Sequence, residues 1–360
     1  MNISKIFSNG MVIQAEKPIN IFGKGCGTVS AEIDGLKAEI NSKDDCWCLT
    51  LPPHTYGGPY TLNVILNGEE LSFEDVWFGD VSLVTGQSNN QLKLWQTNTP
   101  KELYTDNENL RLFSVDRLED QGKHVLTDNG WVSVTNEGAV VDLQGEHYSS
   151  DDGWVTATKD TDCFWSALGY LVGKSLQEET GRKIGLVACY QGGSVIQSWL
   201  PKDYLLNTNC YIPDENRSHG YKNAAYFWNK DGFLYENMLE HIIPFGFKCV
   251  LWYQGESNAS GEDINKYGDI LKLLINKWRE DFKDKDLPFI VVGLHDYEIN
   301  MKKDNGSWLK LQTEQERACK ETKGAFLIRC ADVCEKNTIH PPTKTLLADR
   351  IFEAIKTNIL

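Results

Sequence analysis

A serine at the end of an apolar stretch is the residue of this sequence with the clearest potential for chemistry. Ser88 lies in the segment Gly-Gln-Ser-Asn-Asn at 86–90, directly after the apolar residues 81–84 and before a segment that is typical of a helix. At a strand-to-helix turn a hydroxyl stands clear of the sheet, and the first N–H groups of the helix face the charge that develops beside it. Ser88 is therefore a candidate nucleophile.

A serine hydroxyl is a weak nucleophile until a base takes its proton. The candidate base is His340, in the segment Thr-Ile-His-Pro-Pro at 338–342 close to the end of the chain. Acyl transfer by such a pair also needs a group that orients the imidazole and donors that bind an oxyanion. Other polar segments of the chain must therefore supply these two functions.

Two segments that follow predicted strands supply oxyanion donors. The backbone N–H groups of Ser88 and of Gly192 or Gly193 suit this role, because glycine lets a carbonyl oxygen approach the backbone closely. The side-chain amide of Gln254 offers a third donor. Since the carboxyl ends of parallel strands meet in one crevice, these segments are expected to converge there.

Two carboxylates compete for the role of the acid that orients the imidazole. Glu256 follows Gln254 in the segment Trp-Tyr-Gln-Gly-Glu-Ser-Asn at 252–258, and Asp332 lies closer to His340 along the chain. The residues alone leave both candidates open.

Composition limits the classes of partner. The 360 residues carry a net charge of −15, which makes a nucleic-acid or anionic-membrane partner unexpected, because phosphate binding depends on clustered Lys and Arg. No segment has the apolar length that a membrane span requires. The first residues lack a basic stretch followed by an apolar run, so we predict no signal peptide and a cytoplasmic location.

The ten cysteines do not predict a metal site. Neither the pair Cys46 and Cys48 nor the pair Cys330 and Cys334 is matched by a second Cys/His cluster with zinc-ligand spacing. We expect most of them to be buried free thiols, and we expect no metal or organic cofactor.

The pattern of apolar residues changes near residue 76. Residues 1–76 consist of short predicted strands separated by Gly, Pro and Asp, which indicates a small N-terminal β-sandwich-like domain. Residues 77–360 alternate predicted strands and helices, which indicates an α/β domain with a parallel sheet, interrupted by an excursion of hairpins around 101–160. Its predicted strands are 184–188, 249–252 and 289–294, and its predicted helices are 165–179, 231–243, 265–282 and 307–321.

Taken together, these motifs resemble the sialate O-acetylesterase family of the SGNH (GDSL-like) hydrolases. The resemblance rests on Gly-Asp-Val at 79–81, on the segments 86–89, 252–258 and 339–341, and on Lys344. It extends to Gly-Met-Val-Ile-Gln at 10–14, Gly-Gly-Pro-Tyr at 57–60, and the segments 234–238 and 287–289, and so spans nearly the whole chain in order.

The resemblance implies an SGNH three-layer α/β/α fold and a serine esterase that removes O-acetyl groups from sialic acid or a related carbohydrate. The family nucleophile and base carry over to Ser88 and His340, the glycine of its second block to Gly193, and its oxyanion amide to Gln254. Related carbohydrate acetylesterases favour Glu256 as the acid. Gln87, Asn89 and Trp252 are the residues expected to contact the substrate, a small acetylated sugar or short oligosaccharide.

The chain departs from the family pattern at two positions. Asn90 stands where the family commonly has Met, and Asn337 stands three residues before His340, where many SGNH enzymes have Asp. Two alternative functions stay open: an esterase for acetylated xylan or another plant oligosaccharide, and, because of Asn90 and Asn337, a carbohydrate-binding protein without catalysis. Trp199, Tyr190 and Trp252 are candidates for stacking on sugars or for the core.

Overall fold

The structure is a computed structural model that describes residues 1–116, 123–127, 130–134, 140–142, 150–162, 164–222, 226–298 and 306–360. Its strands are β1 Asn2–Ile3, β2 Val12–Gln14, β3 Ile19–Lys24, β4 Gly27–Ile33, β5 Leu36–Ser42, β6 Cys46–Leu51, β7 Gly57–Leu66, β8 Glu69–Gly86, β9 Asn107–Ser114, β10 Lys123–Thr127, β11 Gly130–Val134, β12 Val140–Asp142, β13 Val155–Ala157, β14 Ile184–Tyr190, β15 Cys249–Tyr253, β16 Phe289–Val292 and β17 Ala325–Ile328. Its helices are α1 Ser88–Gln91, α2 Lys159–Asp162, α3 Ala167–Thr180, α4 Lys202–Leu206, α5 His219–Lys222, α6 Phe233–Asn237, α7 Asp263–Asp281, α8 Ser307–Glu321 and α9 Thr345–Asn358.

The chain has a mixed α/β fold built around one large sheet. Along its main path the strand order is β13-β9-β14-β8-β15-β16-β17, and every pair except β13 with β9 is parallel. Every residue of β14, β15 and β16 is buried, which explains why these strands are continuous apolar runs rather than alternating ones. They match the predicted strands at 184–188, 249–252 and 289–294.

The N-terminal strands are joined to this sheet by β8. Strands β1, β3 and β6 form an antiparallel sheet of their own, whereas β4 pairs with β5 and β7, and β7 pairs with β8. β8 runs without interruption from Glu69 to Gly86, so the expected boundary between residues 76 and 77 lies inside a single strand. Its first half pairs with β7, and its second half pairs with β14 and β15.

Three of the four long helices in the described part of the chain agree closely with those expected from the sequence, whereas no helix is expected at the position of α9. α3, α7 and α8 correspond to the predicted helices 165–179, 265–282 and 307–321, and α3 packs on α9 while α7 packs on α8. The predicted helix at 231–243 is instead the short α6 followed by a 3₁₀ turn at Leu239–Ile242. The break falls at Met238, whose φ of −130° is not helical.

The stretch expected as a hairpin excursion is divided between two sheets. β10, β11 and β12 form a small antiparallel sheet, whereas β9 lies in the large sheet between the edge strand β13 and β14, with which it pairs in parallel. Leu110, Leu112 and Phe113 of β9 are buried there. Burial of these apolar side chains explains why β9 belongs to the sheet although its first residues are polar.

Candidate functional site

The turn between β8 and α1 presents Ser88. Gly86 ends β8 with a φ of +119°, and a Cβ atom at this position would lie 2.2 Å from the carbonyl oxygen of Tyr253 on the neighbouring strand. Only glycine has both the conformational freedom and the space for this turn. The backbone N–H of Gln87 donates to the same oxygen at 2.9 Å, so the turn is fastened to β15. Ser88 follows it as the first residue of α1 and is half-buried.

The structure brings His340 to Ser88. The distance between His340 Nε2 and Ser88 Oγ is 2.7 Å, although the two residues are 252 positions apart in the chain. His340 lies in the loop between β17 and α9, where its own N–H donates to Thr338 Oγ1 at 3.2 Å. The buried His295 donates from Nε2 to the carbonyl oxygen of Thr338 at 2.8 Å and fastens this loop from the other side.

The surroundings of His340 favour its neutral form. Partial burial of the ring, and then the positive charge of Lys344, lower the pKa of His340 below its usual value of about 6.5. A neutral imidazole whose Nε2 lies at hydrogen-bonding distance from a hydroxyl can accept the proton of that hydroxyl. The pair therefore has the geometry and the protonation state of a nucleophile with its base.

The glycine turn after β14 lies beside this pair, because β14 neighbours β8 in the sheet and Tyr190 is in register with Gly86. Gly193 has a φ of +66°, and a Cβ atom there would lie 2.7 Å from the ring of Tyr226. Asn229 holds the turn: its Nδ2 donates to the carbonyl oxygen of Gly193 at 2.8 Å, and its Oδ1 accepts from the N–H of Val195 at 3.0 Å. Sequence reasoning missed Asn229, because it belongs to no motif.

The structure does not present the side chain of Gln254 to an oxyanion. Gln254 is fully buried, and its Nε2 donates to Gln87 Oε1, to the carbonyl oxygen of Ser194 and to Asn258 Oδ1 at 3.2, 2.9 and 2.8 Å. Its donors are therefore occupied inside the protein. In this structure the amide links the turn before Ser88 to the glycine turn, and its expected contact with an oxyanion stays a prediction.

Neither predicted acid hydrogen-bonds to His340. Glu256 Oε1 accepts from Asn89 Nδ2 at 2.6 Å, whereas Asp332 forms two bonds of 2.7 and 2.8 Å with Arg350 at the surface. Burial raises the pKa of Glu256 to about 7, and the bonds from Arg350 lower that of Asp332 to about 2. Within the described ranges of the chain, no carboxylate bonds to the imidazole.

The three residues expected to contact the substrate are buried. Trp252 is fully buried and packs edge-to-face against Trp199 and Trp278, so it belongs to the core, as does Trp199. Gln87 and Asn89 are 3% and 1% exposed, and both bond to other parts of the protein. The side chains of all three are therefore buried inside the protein in this structure.

The unusual Asn90 also has a position inside the protein. Its Nδ2 donates to the carbonyl oxygens of Thr85 and Leu251 at 2.6 and 3.2 Å, and the side chain is fully buried. It therefore ties the ends of β8 and β15 together beneath Ser88. The expected departure from the family pattern leaves the contact between Ser88 and His340 in place.

A comparison with known protein families identifies the family of this chain. The model of the family described as "Carbohydrate esterase, sialic acid-specific acetylesterase" matches residues 79–351. The chain belongs to this family. The match covers Ser88, the glycine turn, the segment 252–258 and His340, and it confirms the resemblance that the motifs indicate.

Two curated members of this carbohydrate esterase family show the extent of the likeness. Sialate O-acetylesterase of Homo sapiens is 26% identical over 351 residues, which cover 91% of this chain and 62% of the human protein. Sialate O-acetylesterase of Mus musculus is 25% identical over 376 residues, which cover 91% of this chain and 65% of the mouse protein. The chain thus spans a little less than two thirds of the length of these relatives.

A solved structure of a carbohydrate acetylesterase from Xanthomonas citri shares the fold. It is 27% identical in sequence, superposes with a TM-score of 0.77, and covers 99% of this chain and 75% of its own. The agreement over nearly the whole chain includes the N-terminal strands.

In this member of the sialic acid-specific acetylesterase family, the described residues contain no group of three His, Cys, Asp or Glu side chains placed to hold a metal ion. The nine cysteines in the described ranges are free thiols, six of them buried. Within those same ranges, no helix has the length and apolarity to cross a bilayer.

Proposed function

We propose that this chain is a serine esterase that removes O-acetyl groups from sialic acid or a related acetylated carbohydrate through an acetyl-enzyme intermediate. The observation that carries the proposal is the 2.7 Å contact between Ser88 Oγ and His340 Nε2 in a member of a carbohydrate esterase family. The proposal includes the SGNH three-layer arrangement of sheet and helices and a small N-terminal β-sandwich-like domain at 1–76, which shares β8 with the rest of the chain.

The proposed cycle begins when Ser88 attacks the acetyl carbonyl carbon. His340 accepts the hydroxyl proton at Nε2 as the new C–O bond forms, and the carbonyl oxygen becomes an oxyanion. The backbone N–H groups of Ser88 and Gly193 are the proposed oxyanion donors. Loss of one such donor typically costs about 3 kcal/mol of transition-state stabilisation.

The second half of the cycle regenerates the enzyme. The imidazolium of His340 gives its proton to the departing sugar oxygen as the tetrahedral intermediate collapses to acetyl-Ser88. His340 then takes a proton from water as the water oxygen attacks the acetyl carbonyl, and it passes this proton to Ser88 as acetic acid leaves and ionises to acetate in the solvent. Burial and the charge of Lys344 lower the pKa of His340, which favours the neutral base that each half of the cycle needs.

Acetate release tests the proposal. Purified protein should hydrolyse p-nitrophenyl acetate and release acetate from O-acetylated sialic acid, and Ser88→Ala or His340→Ala should reduce kcat by about 10³-fold or more. Full activity of Ser88→Ala would show that another nucleophile acts. Faster release from acetylated xylooligosaccharide than from acetylated sialic acid would assign the alternative substrate class.

A further inference from the structure

Asn89 joins three segments of the site through one side-chain amide. Its Nδ2 donates to Glu256 Oε1 at 2.6 Å and to the carbonyl oxygen of Ile339 at 3.0 Å, and its Oδ1 accepts from Lys344 Nζ at 2.9 Å. The side chain is 1% exposed. Both N–H donors of the amide and its oxygen therefore bond to named partners inside the protein.

These partners permit only one orientation of the amide. The ammonium of Lys344 can only donate, so it must face the Asn89 oxygen, and the carbonyl of Ile339 can only accept, so it must face the Asn89 nitrogen. A flipped amide would place two donors together on one side and two acceptors together on the other. The orientation of Asn89 is thus fixed by chemistry.

Asn89 is placed to position both reacting groups. It is the residue after Ser88 in α1, and its amide holds the carbonyl of Ile339, the residue before His340. A second, buried connection therefore lies beside the 2.7 Å contact between Ser88 and His340, because Asn89 and Ile339 are their neighbours in the chain. In the part of the chain that the structure describes, no carboxylate hydrogen-bonds to the imidazole. The bond from Asn89 to the backbone of Ile339 is therefore more important for placing His340.

The environment of Lys344 indicates a specific role for its ammonium group. Lys344 is fully buried at the start of α9, and its hydrogen-bond partner among the described residues is Asn89 Oδ1. Its Nζ also lies 5.6 Å from the centre of the Tyr253 ring. Burying an ammonium group costs free energy unless it is compensated, so this lysine is poorly explained as a packing residue.

We propose that Asn89 is a positioning residue that keeps Ser88 and His340 at reacting distance, with Lys344 fixing the orientation of its amide. This inference rests on the proposed serine-esterase function. A misplacement of about 1 Å in such a pair costs on the order of 100-fold in rate. Loss of the Asn89 donors should therefore lower kcat and leave KM nearly unchanged, because Asn89 is buried away from the substrate.

Two variants separate this role from general stabilisation. Asn89→Leu removes all three hydrogen bonds, whereas Asn89→Asp keeps an acceptor for Lys344 but loses both donors and is expected to fold. Asn20→Leu is the matched control: Asn20 is also buried, and its side chain bonds to the carbonyl oxygen of Pro244 and to Thr50 Oγ1 in the N-terminal strands.

The measurements are kcat, KM, the rate at which a fluorophosphonate labels Ser88, and the melting temperature. We expect both Asn89 variants to lose about 100-fold in kcat and in labelling rate, with KM within about threefold of wild type. Asn20→Leu should lose stability and keep kcat and the labelling rate.

Three outcomes would overturn the inference: a folded Asn89→Asp with kcat near wild type, a raised KM with unchanged kcat, or an equal loss of kcat in the Asn20 control. Ser88→Ala is measured alongside. If Ser88→Ala is inactive and Asn89→Asp is active, only the positioning role fails, whereas an active Ser88→Ala contradicts the proposed function itself.

Discussion

The side chains that hold the backbone next to His340 in place are neutral rather than charged. The carbonyl oxygens of Thr338 and Ile339 bind the buried His295 and Asn89, and the two predicted acids bond elsewhere. In a serine–histidine–carboxylate triad, replacing the carboxylate by its amide lowers kcat by about 10⁴-fold. The geometry in this site predicts a much smaller effect for either acid.

The variant Glu256→Gln tests whether the charge of this carboxylate is needed for catalysis. Glutamine keeps an oxygen that accepts from Asn89, so kcat should fall by less than about tenfold. An alanine at the same position would remove the acceptor and is the comparison variant. A loss near 10⁴-fold in folded Glu256→Gln would show that the carboxylate acts directly on His340.

The same variant has a predicted effect on stability. Because burial raises the pKa of Glu256 to about 7 from its usual value of 4.5, the folded protein binds this proton more tightly than the unfolded chain does. The wild type therefore loses stability as the pH rises from about 4.5 through 7, by about 3 kcal/mol at most. Urea unfolding at pH 5 and pH 8 should show a smaller loss for Glu256→Gln, and an equal loss would contradict the assignment.

Ser88 and His340 could be predicted from sequence because each lies in a distinctive motif, at 86–90 and at 338–342. The side chains of Gln254 and Glu256 bond in this structure to Ser194, Asn258 and Asn89, contacts that the sequence does not predict. Sequence gives no account of which way a buried amide or carboxylate points after its strand ends. Asn229 carries no local signal at all, since its function depends on a turn 36 residues away.

At the scale of elements, the turn between β8 and α1 depends on close approach to β15. A Cβ atom at Gly86 would lie 2.2 Å from a backbone oxygen, and the φ of +119° is itself unfavourable for other residues. Buried, fully hydrogen-bonded strands on both sides leave little room for the turn to shift. The precision of the site is therefore set largely by the packing of β8 against β15.

Gly86→Ala should accordingly destabilise the fold by roughly 3 kcal/mol or more and displace Ser88. Gly181→Ala is the matched control, because Gly181 has a φ of +65° and no atom within 4 Å of its Cβ position. Its cost should be about 1 kcal/mol, from backbone conformation alone. Similar losses for both variants in chemical denaturation would argue against the steric account.

Strand types were predictable at this scale, whereas their partners were not. β14, β15 and β16 are runs of apolar residues that only a buried parallel sheet accommodates. β9 begins with polar residues, and its place in the large sheet is decided by the buried Leu110, Leu112 and Phe113. The length of β8 was also hidden, because pairing with β7 on one half and with β14 on the other is a tertiary property.

At the scale of the whole molecule, one strand connects the N-terminal strands to the site. Asp80 on β8 accepts from Tyr56 and Arg182 at 2.9 and 3.1 Å and lies 3.4 Å from Gln14 Nε2 and from Lys248 Nζ. This buried carboxylate thus gathers the N-terminal part and the flanks of β14 and β15 six residues before Gly86. The position of the turn that carries Ser88 therefore depends on the N-terminal strands as well as on β14 and β15.

We propose that segments from distant parts of the chain converge so that His340 can activate Ser88 as a nucleophile. The most direct measurement is mass spectrometry of the protein quenched in acid during turnover of p-nitrophenyl acetate. We predict one added acetyl group on the peptide that contains Ser88, a slower appearance of the adduct in His340→Ala, and none in Ser88→Ala. Acetylation at another residue, or the same adduct in Ser88→Ala, would contradict the claim.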